Sequence, residues 1–298
     1  MKVVGIGGGH GLAVSLRAAR LYATDIAAVV TVADDGGSSG RLVRELGVPP
    51  PGDIRNCLIS LAQDHDMADL YQHRFESGEL TGHPLGNLLI AALTEMTGDF
   101  ATAIKEAGRL LKADGRVYPS TSERVDLHAF VNGEVVRGQV AVQQSEAPIQ
   151  AVYLEPSDPL ACDEAVEAIC AADQVILGPG SLFTSLIATL LVPGIRTAVK
   201  ETKGKRILVA NNRLQKGETS GLDVTAHIEA VLAHTGASAL DAVVVQAPLL
   251  TPDGVDFDRT AVEDLGIEVF EDDVSTDDGV HDPDALAKAF QSLGIERK

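Results

Sequence analysis

Three times in 298 residues an apolar run ends in a cluster of glycines, and a helix start follows. Residues 2–6 (KVVGI) open onto Gly7-Gly8-Gly9-His10-Gly11 and a helical period from Leu12 to Leu21. Residues 26–33 open onto Asp34-Asp35-Gly36-Gly37-Ser38-Ser39-Gly40, and residues 174–177 onto Gly178-Pro179-Gly180-Ser181 and a helix to Leu191. A buried strand that turns directly into a helix is the unit of a parallel sheet, whose strands need helical crossovers. Further helices are expected at 160–171, 222–235 and 284–293, and further strands at 206–210 and 241–246. The chain therefore predicts an α/β fold, a doubly wound and mostly parallel sheet in a single domain over 1–298.

One window breaks the alternation. Val125, Leu127, Ala129 and Val131 alternate, Asn132-Gly133 is a tight-turn pair, and Val135 to Val142 runs back. This predicts an antiparallel β-hairpin inserted at about 115–155, outside the central sheet.

Four loops are candidate anion seats at helix N-termini: 7–11, 34–40, Pro51-Gly52-Asp53 and 178–181. Unpaired N–H groups and the positive end of the helix dipole favour a phosphate there. Any single glycine turn is also explained as a tight connection. Asp53 also reads as an N-cap, Pro84 as a helix start, and His10 and His83 as surface residues. Two of the loops directly follow the first two strands, so they open on one carboxyl edge, where such sheets bind ligands. Asp34 and Asp35 would repel a phosphate unless a cation intervenes or a hydroxyl donor is presented to them. They fit Mg²⁺ beside substrate phosphates, or a sugar hydroxyl. Gly36-Gly37-Ser38-Ser39-Gly40 matches the GxSxG hydrolase elbow, a cheap match in a Gly/Ser loop. Gly204-Lys205-Arg206 lacks the hydroxyl residue of a phosphate-binding Walker loop, and the first glycine cluster lacks dinucleotide spacing.

Net charge is −19, which argues against non-specific nucleic-acid binding. Residues 251–298 hold 14 acidic and 4 basic side chains, whereas residues 1–60 hold 5 and 6. The glycine-rich end is near neutral, and screening beyond roughly 8 Å separates it from the acidic C-terminal segment. Cys57, Cys162 and Cys170 are odd in number and lack CxxC spacing, so they read as free thiols of a reducing compartment. With no signal peptide or membrane span legible, a cytoplasmic protein is expected.

Several strings together resemble one family: GIGGGHGL (5–12), TVADDGGSSGRL (31–42), LGVPPPGDIRN (46–56), GHPLGNLL (82–89), ALTEMTGDF (92–100) and GPGSLFTS (178–185). They resemble the YvcK-type gluconeogenesis factors, in the wider group that includes 2-phospho-L-lactate transferase (CofD), from residue 1 to about 230. The resemblance implies a Rossmann-like fold and binding of a UDP-sugar, chiefly UDP-N-acetylglucosamine. It implies a role in cell-wall precursor supply and cell shape during gluconeogenic growth, with enzymes of amino-sugar or wall synthesis as partners. A homo-oligomer is expected. Carried over by motif, the ligand shell would be Gly8, Gly9, His10, Gly11, Asp34, Asp35, Ser38, Ser39, Asp53, Asn56, Asn87, Gly180 and Ser181. Mg²⁺ would sit on Asp34, Asp35 and Asp53, which would also serve an alternative Mg-dependent phosphoryl or nucleotidyl transferase. Two positions depart from the family: His10 stands where Thr is common, and Leu222 where an aromatic is usual.

Overall fold

The computed structural model describes residues 1–236, 239–249 and 253–294. Among these, seven parallel strands form the central sheet. The chain enters through β1 (Lys2–Gly7), α1 (Gly9–Ala19), β2 (Asp25–Val30), α2 (Gly37–Leu46) and α3 (Gly52–Leu61). It continues through α4 (His65–Gln72), α5 (Leu85–Thr97), α6 (Phe100–Leu110) and β3 (Arg116–Pro119). A three-stranded antiparallel sheet follows, made of β4 (Asp126–Val131), β5 (Glu134–Arg137) and β6 (Ile149–Glu155), with the short α7 (Gln139–Gln143) between the last two.

The main sheet then resumes with α8 (Asp163–Cys170) and β7 (Gln174–Leu177). A π-helical turn (Leu182–Ile187) leads into α9 (Ala188–Leu190), α10 (Pro193–Glu201) and β8 (Lys205–Val209). The remaining elements are α11 (Val224–Thr235), β9 (Ala242–Gln246), α12 (Arg259–Asp264), β10 (Glu268–Asp272) and α13 (Pro283–Leu293).

The strand order is β10-β9-β8-β7-β1-β2-β3. β1 is the hinge of the topology: from it the chain builds outward to β2 and β3, then returns to build the other way from β7. Parallel sheets are covered on both faces, and their strands read as continuous apolar runs. Val3–Gly7, Ile26–Val30 and all of β7 and β9 are buried accordingly. α1 packs on α3 and α13, and α8 packs on α10.

The inserted hairpin is present but differs from the expectation in two ways. Asn132 (φ 51°) and Gly133 (φ 81°) do form the two-residue turn joining β4 to β5. The return strand, however, stops at Arg137, because Gly138 redirects the chain into α7, and the third strand β6 completes the sheet. The window also opens too early, since Arg116–Pro119 is an edge strand of the central sheet, parallel to β2. A four-residue strand shows too little period to be assigned from sequence. The second strand, read as 26–33, ends at Val30. No single helix among the described residues is long and apolar enough to cross a membrane.

Candidate functional site

The point where strand order reverses lies between the carboxyl ends of β1 and β7, the position at which doubly wound sheets bind ligands. The loops after these strands touch. A Cβ at Gly11 would lie 2.6 Å from the Pro179 carbonyl carbon and 2.8 Å from the Gly180 nitrogen, so only glycine permits the contact. Gly9 to Gly11 are the first turn of α1, not a loop ahead of it, and Gly8 precedes them in extended conformation with no side-chain cap. His10 is exposed on this turn. The start of α2 is likewise uncapped by side chains, with Gly36 at its N-cap and Ser38 and Ser39 in its first turn. Helix N-termini without a side-chain cap leave N–H groups to water or a ligand.

The structure divides the expected carboxylate trio. Asp35 accepts from the Val140 N–H at 2.9 Å, tying the loop to α7 and the small sheet. Asp34 accepts from the Gly36 N–H at 2.9 Å in a local turn. Asp53 is not the N-cap of α3, which is Pro51 without a side-chain cap. Its carboxylate lies against the α-carbon of Gly8 and is supported by the Gly9 N–H. Asp34 and Asp53 feel each other's charge. Burial, and then Asp34, push Asp53 up to about 7, and burial raises Asp34 as well. Among the described residues no three His, Cys, Asp or Glu side chains gather as a metal site. The expected three-carboxylate set is therefore reduced to Asp34 and Asp53, because Asp35 is engaged by the Val140 N–H.

Beside the pair lies a buried arginine that the sequence reading passed over. Arg55 donates from one Nη to Asn87 Oδ1 (2.8 Å) and from the other to Asn56 Oδ1 (2.7 Å), and its Nε has no partner. Burial, and then Arg74, lower its pKa to about 10, which leaves it cationic at neutral pH. Asn87 Nδ2 donates to Ser38 Oγ at 3.0 Å, which leaves the serine proton for His83 Nδ1 at 2.8 Å. His83, read from sequence as a surface residue, is 4% exposed. Ser39 Oγ accepts from the Gly52 N–H at 3.2 Å. Ser38, Ser39 and Asn87 are thus committed to holding the three helix starts together. Asn56 Oδ1 is held by Arg55, which leaves Asp34, Asp53 and the first turn of α1 at the crevice.

The loop after β7 is also partly closed. Gly180 exchanges two hydrogen bonds with the Asn211 side chain, at 3.0 and 2.9 Å. Ser181 Oγ accepts from Gln215 at 3.2 Å. Glu218, 3% exposed, accepts from the N–H groups of Phe183 (2.7 Å) and Thr184 (2.8 Å). A carboxylate already occupies the helix end that was expected to seat a phosphate, so repulsion and lost donors both disfavour an anion there. In the sequence Glu218 sits in a polar loop 34 residues beyond Thr184, with no local signal that it caps.

A larger groove of about 540 Å³ runs beside α6 and β3, away from these loops. Its basic lining is largely neutralised: Arg109 pairs with Glu106 and Lys112 with Asp64, at 2.8 and 3.0 Å, and Arg116 pairs with Asp25. The cysteines are free, Cys57 and Cys162 buried and Cys170 exposed.

Comparison with known proteins agrees with this architecture. The family profile of 2-phospho-L-lactate transferase CofD matches residues 3–275. A gluconeogenesis factor of Bacillus subtilis is 41% identical over 292 residues, 92% of this chain and 91% of that protein. One from Halalkalibacterium halodurans is 44% identical over 247 residues, 82% of this chain and 77% of that one. A crystal structure of a UPF0052-family protein from Bacillus halodurans is 37% identical, with a TM-score of 0.94, and covers 97% of this chain and 98% of its own. The chain belongs to the CofD family, among its gluconeogenesis factors.

Proposed function

We propose that the chain is a cytoplasmic sensor that binds a UDP-sugar, chiefly UDP-N-acetylglucosamine, in the crevice between β1 and β7. In this reading it adjusts cell-wall precursor supply and cell shape during gluconeogenic growth, through contacts with enzymes of amino-sugar or wall synthesis and as a homo-oligomer. The observation that supports it is the pairing of an uncapped glycine helix start with two half-buried carboxylates at the switch point. The amides of the first turn of α1 beyond Gly9, whose N–H Asp53 holds, suit a diphosphate, and Asp34 and Asp53 suit the hydroxyls of a sugar. The same two carboxylates fit one Mg²⁺, because each destabilises the other's charge and a divalent cation relieves that repulsion. Bound there, Mg²⁺ would offset the charge between the pair and a diphosphate.

One observation favours the transferase alternative. Asp53, held at about 7, is poised to take a proton near neutral pH, as a general base for phosphoryl or nucleotidyl transfer would be. Mass spectrometry of the protein incubated with UDP-sugars, UTP and sugar-1-phosphates, with and without Mg²⁺, separates the readings. Binding without turnover supports the sensor, turnover supports the enzyme, and neither would overturn both.

A further inference from the structure

The small sheet leaves one face to solvent, and that face is not polar. Leu127, Ala129, Val131, Val152 and Leu154 are buried against the core, so His128, Phe130 and Tyr153, which alternate with them, point outward. Phe130 is 43% exposed, and it is the one exposed phenylalanine or tyrosine among the described residues. Strand register places Val135, 44% exposed, on one side of Phe130 and Ala151 on the other. The next row is Arg137, His128 and Tyr153, with the Tyr153 ring 5.2 Å from the rings of both Phe130 and His128. Antiparallel sheets that face water carry polar residues outward, so an outward aromatic row marks an interaction surface.

Charge selects the occupant. With a net charge of −19, two copies of the chain repel unless a cation lies at their contact. Arg137 stands on β5, at one flank of the face, and Asp126 and Glu155 form the row beyond, toward β6. Among the described residues neither Arg137 nor Glu155 has a side-chain partner. A two-fold axis along β4 turns one face onto another, about 10 Å apart, with β5 over β6 of the partner subunit. Phe130 then meets its own counterpart, and Arg137 lies over the Tyr153 row with the acidic row about 7 Å further along. An arginine spans that distance, and its stem rests on the tyrosine ring. Opposite charges on opposite flanks of an apolar centre make the face self-complementary, as an isologous contact requires.

We infer that the outer face of the small sheet is the contact between two copies of this chain, packed sheet on sheet with Phe130 at the centre and Arg137 of each copy against Glu155 of the other. This gives the homo-oligomer of the proposed function its interface, and it rests on that part of the reading alone. The chain leaves β5 for α7, whose Val140 N–H holds Asp35, so one unit serves both the contact and the 34–40 loop.

Sedimentation equilibrium on the full chain tests the inference, with the wild type, Arg137→Glu, Glu155→Arg and Phe130→Asp. The wild type should be a dimer. Each charge reversal alone sets like charges against each other and should weaken the dimer by about tenfold or more. An equimolar mixture of the two reversed chains gives every Glu an Arg, and should recover wild-type affinity to within about threefold. Phe130→Asp should be a folded monomer by circular dichroism. If that variant does not fold, the mixture decides. A dimer that survives the reversals, or a mixture that associates no better than its components, overturns the inference and leaves the homo-oligomer to another face. A wild type that is monomeric at every concentration overturns the homo-oligomer as well. UDP-sugar binding, followed by calorimetry on the same samples, stands or falls separately.

Discussion

The carboxylate of Asp53 rests on the α-carbon of Gly8, so that α3 and the β1–α1 turn fix each other's position. A Cβ at Gly8 would meet Asp53 Oδ2 directly and approach Thr31 Cγ2 to 3.0 Å. Gly8→Ala should displace Asp53 and cost about 1–3 kcal/mol of stability through overpacking. UDP-sugar affinity should fall in the same variant. Urea unfolding and calorimetry would read the two effects, and unchanged values in both would mean that the contact is slack.

Asp53 also predicts a pH dependence. Its folded pKa of about 7 lies above the ordinary 3.8, so between those values the unfolded chain sheds a proton that the folded chain keeps. The group's contribution is fully present below pH 3.8 and is lost as pH rises through about 7. Asp53→Asn, which cannot ionise, should match the parent near pH 4 and exceed it by about 1–2 kcal/mol at pH 8, after allowance for partial solvent screening. Thermal melting across that range would show a widening gap. A constant gap would place the folded pKa near its ordinary value.

Asp34 and Asp35 should behave differently although they are adjacent. Asp35→Ala removes the acceptor for the Val140 N–H and should lower stability by about 1 kcal/mol with little change in ligand affinity. Asp34→Asn should weaken UDP-sugar binding. If the pair holds Mg²⁺, the loss appears chiefly with Mg²⁺ present. If it accepts hydroxyls, EDTA changes nothing. Calorimetry in the two buffers distinguishes these, and wild-type affinity in Asp34→Asn would remove it from the site.

Glu218→Ala strips the acceptor from the Phe183 and Thr184 N–H groups and should cost about 1–3 kcal/mol. Glu218→Gln keeps an acceptor oxygen and should lose less. Equal losses in the two variants would mean that charge, not hydrogen bonding, makes the cap. Melting temperatures settle the order.

The sequence by itself determined the strand–glycine–helix units, and with them a parallel sheet and the edge on which a site opens. Local information suffices there, because a buried apolar run and a glycine helix start each specify their own backbone. It also placed Asn132-Gly133 at a turn. Tertiary structure decided which of the motif residues remain free. Ser38 and Asn87 are taken up by His83 and Arg55, 45 and 32 residues away respectively, and the 178–181 turn by Asn211 and Gln215. The different partners of Asp34 and Asp35, and the edge position of β3, were decided in the same way. Hydrogen bonds between side chains far apart in sequence carry no periodicity, so only the packed chain reveals which polar groups are satisfied and which, like Arg55 Nε, still lack a partner.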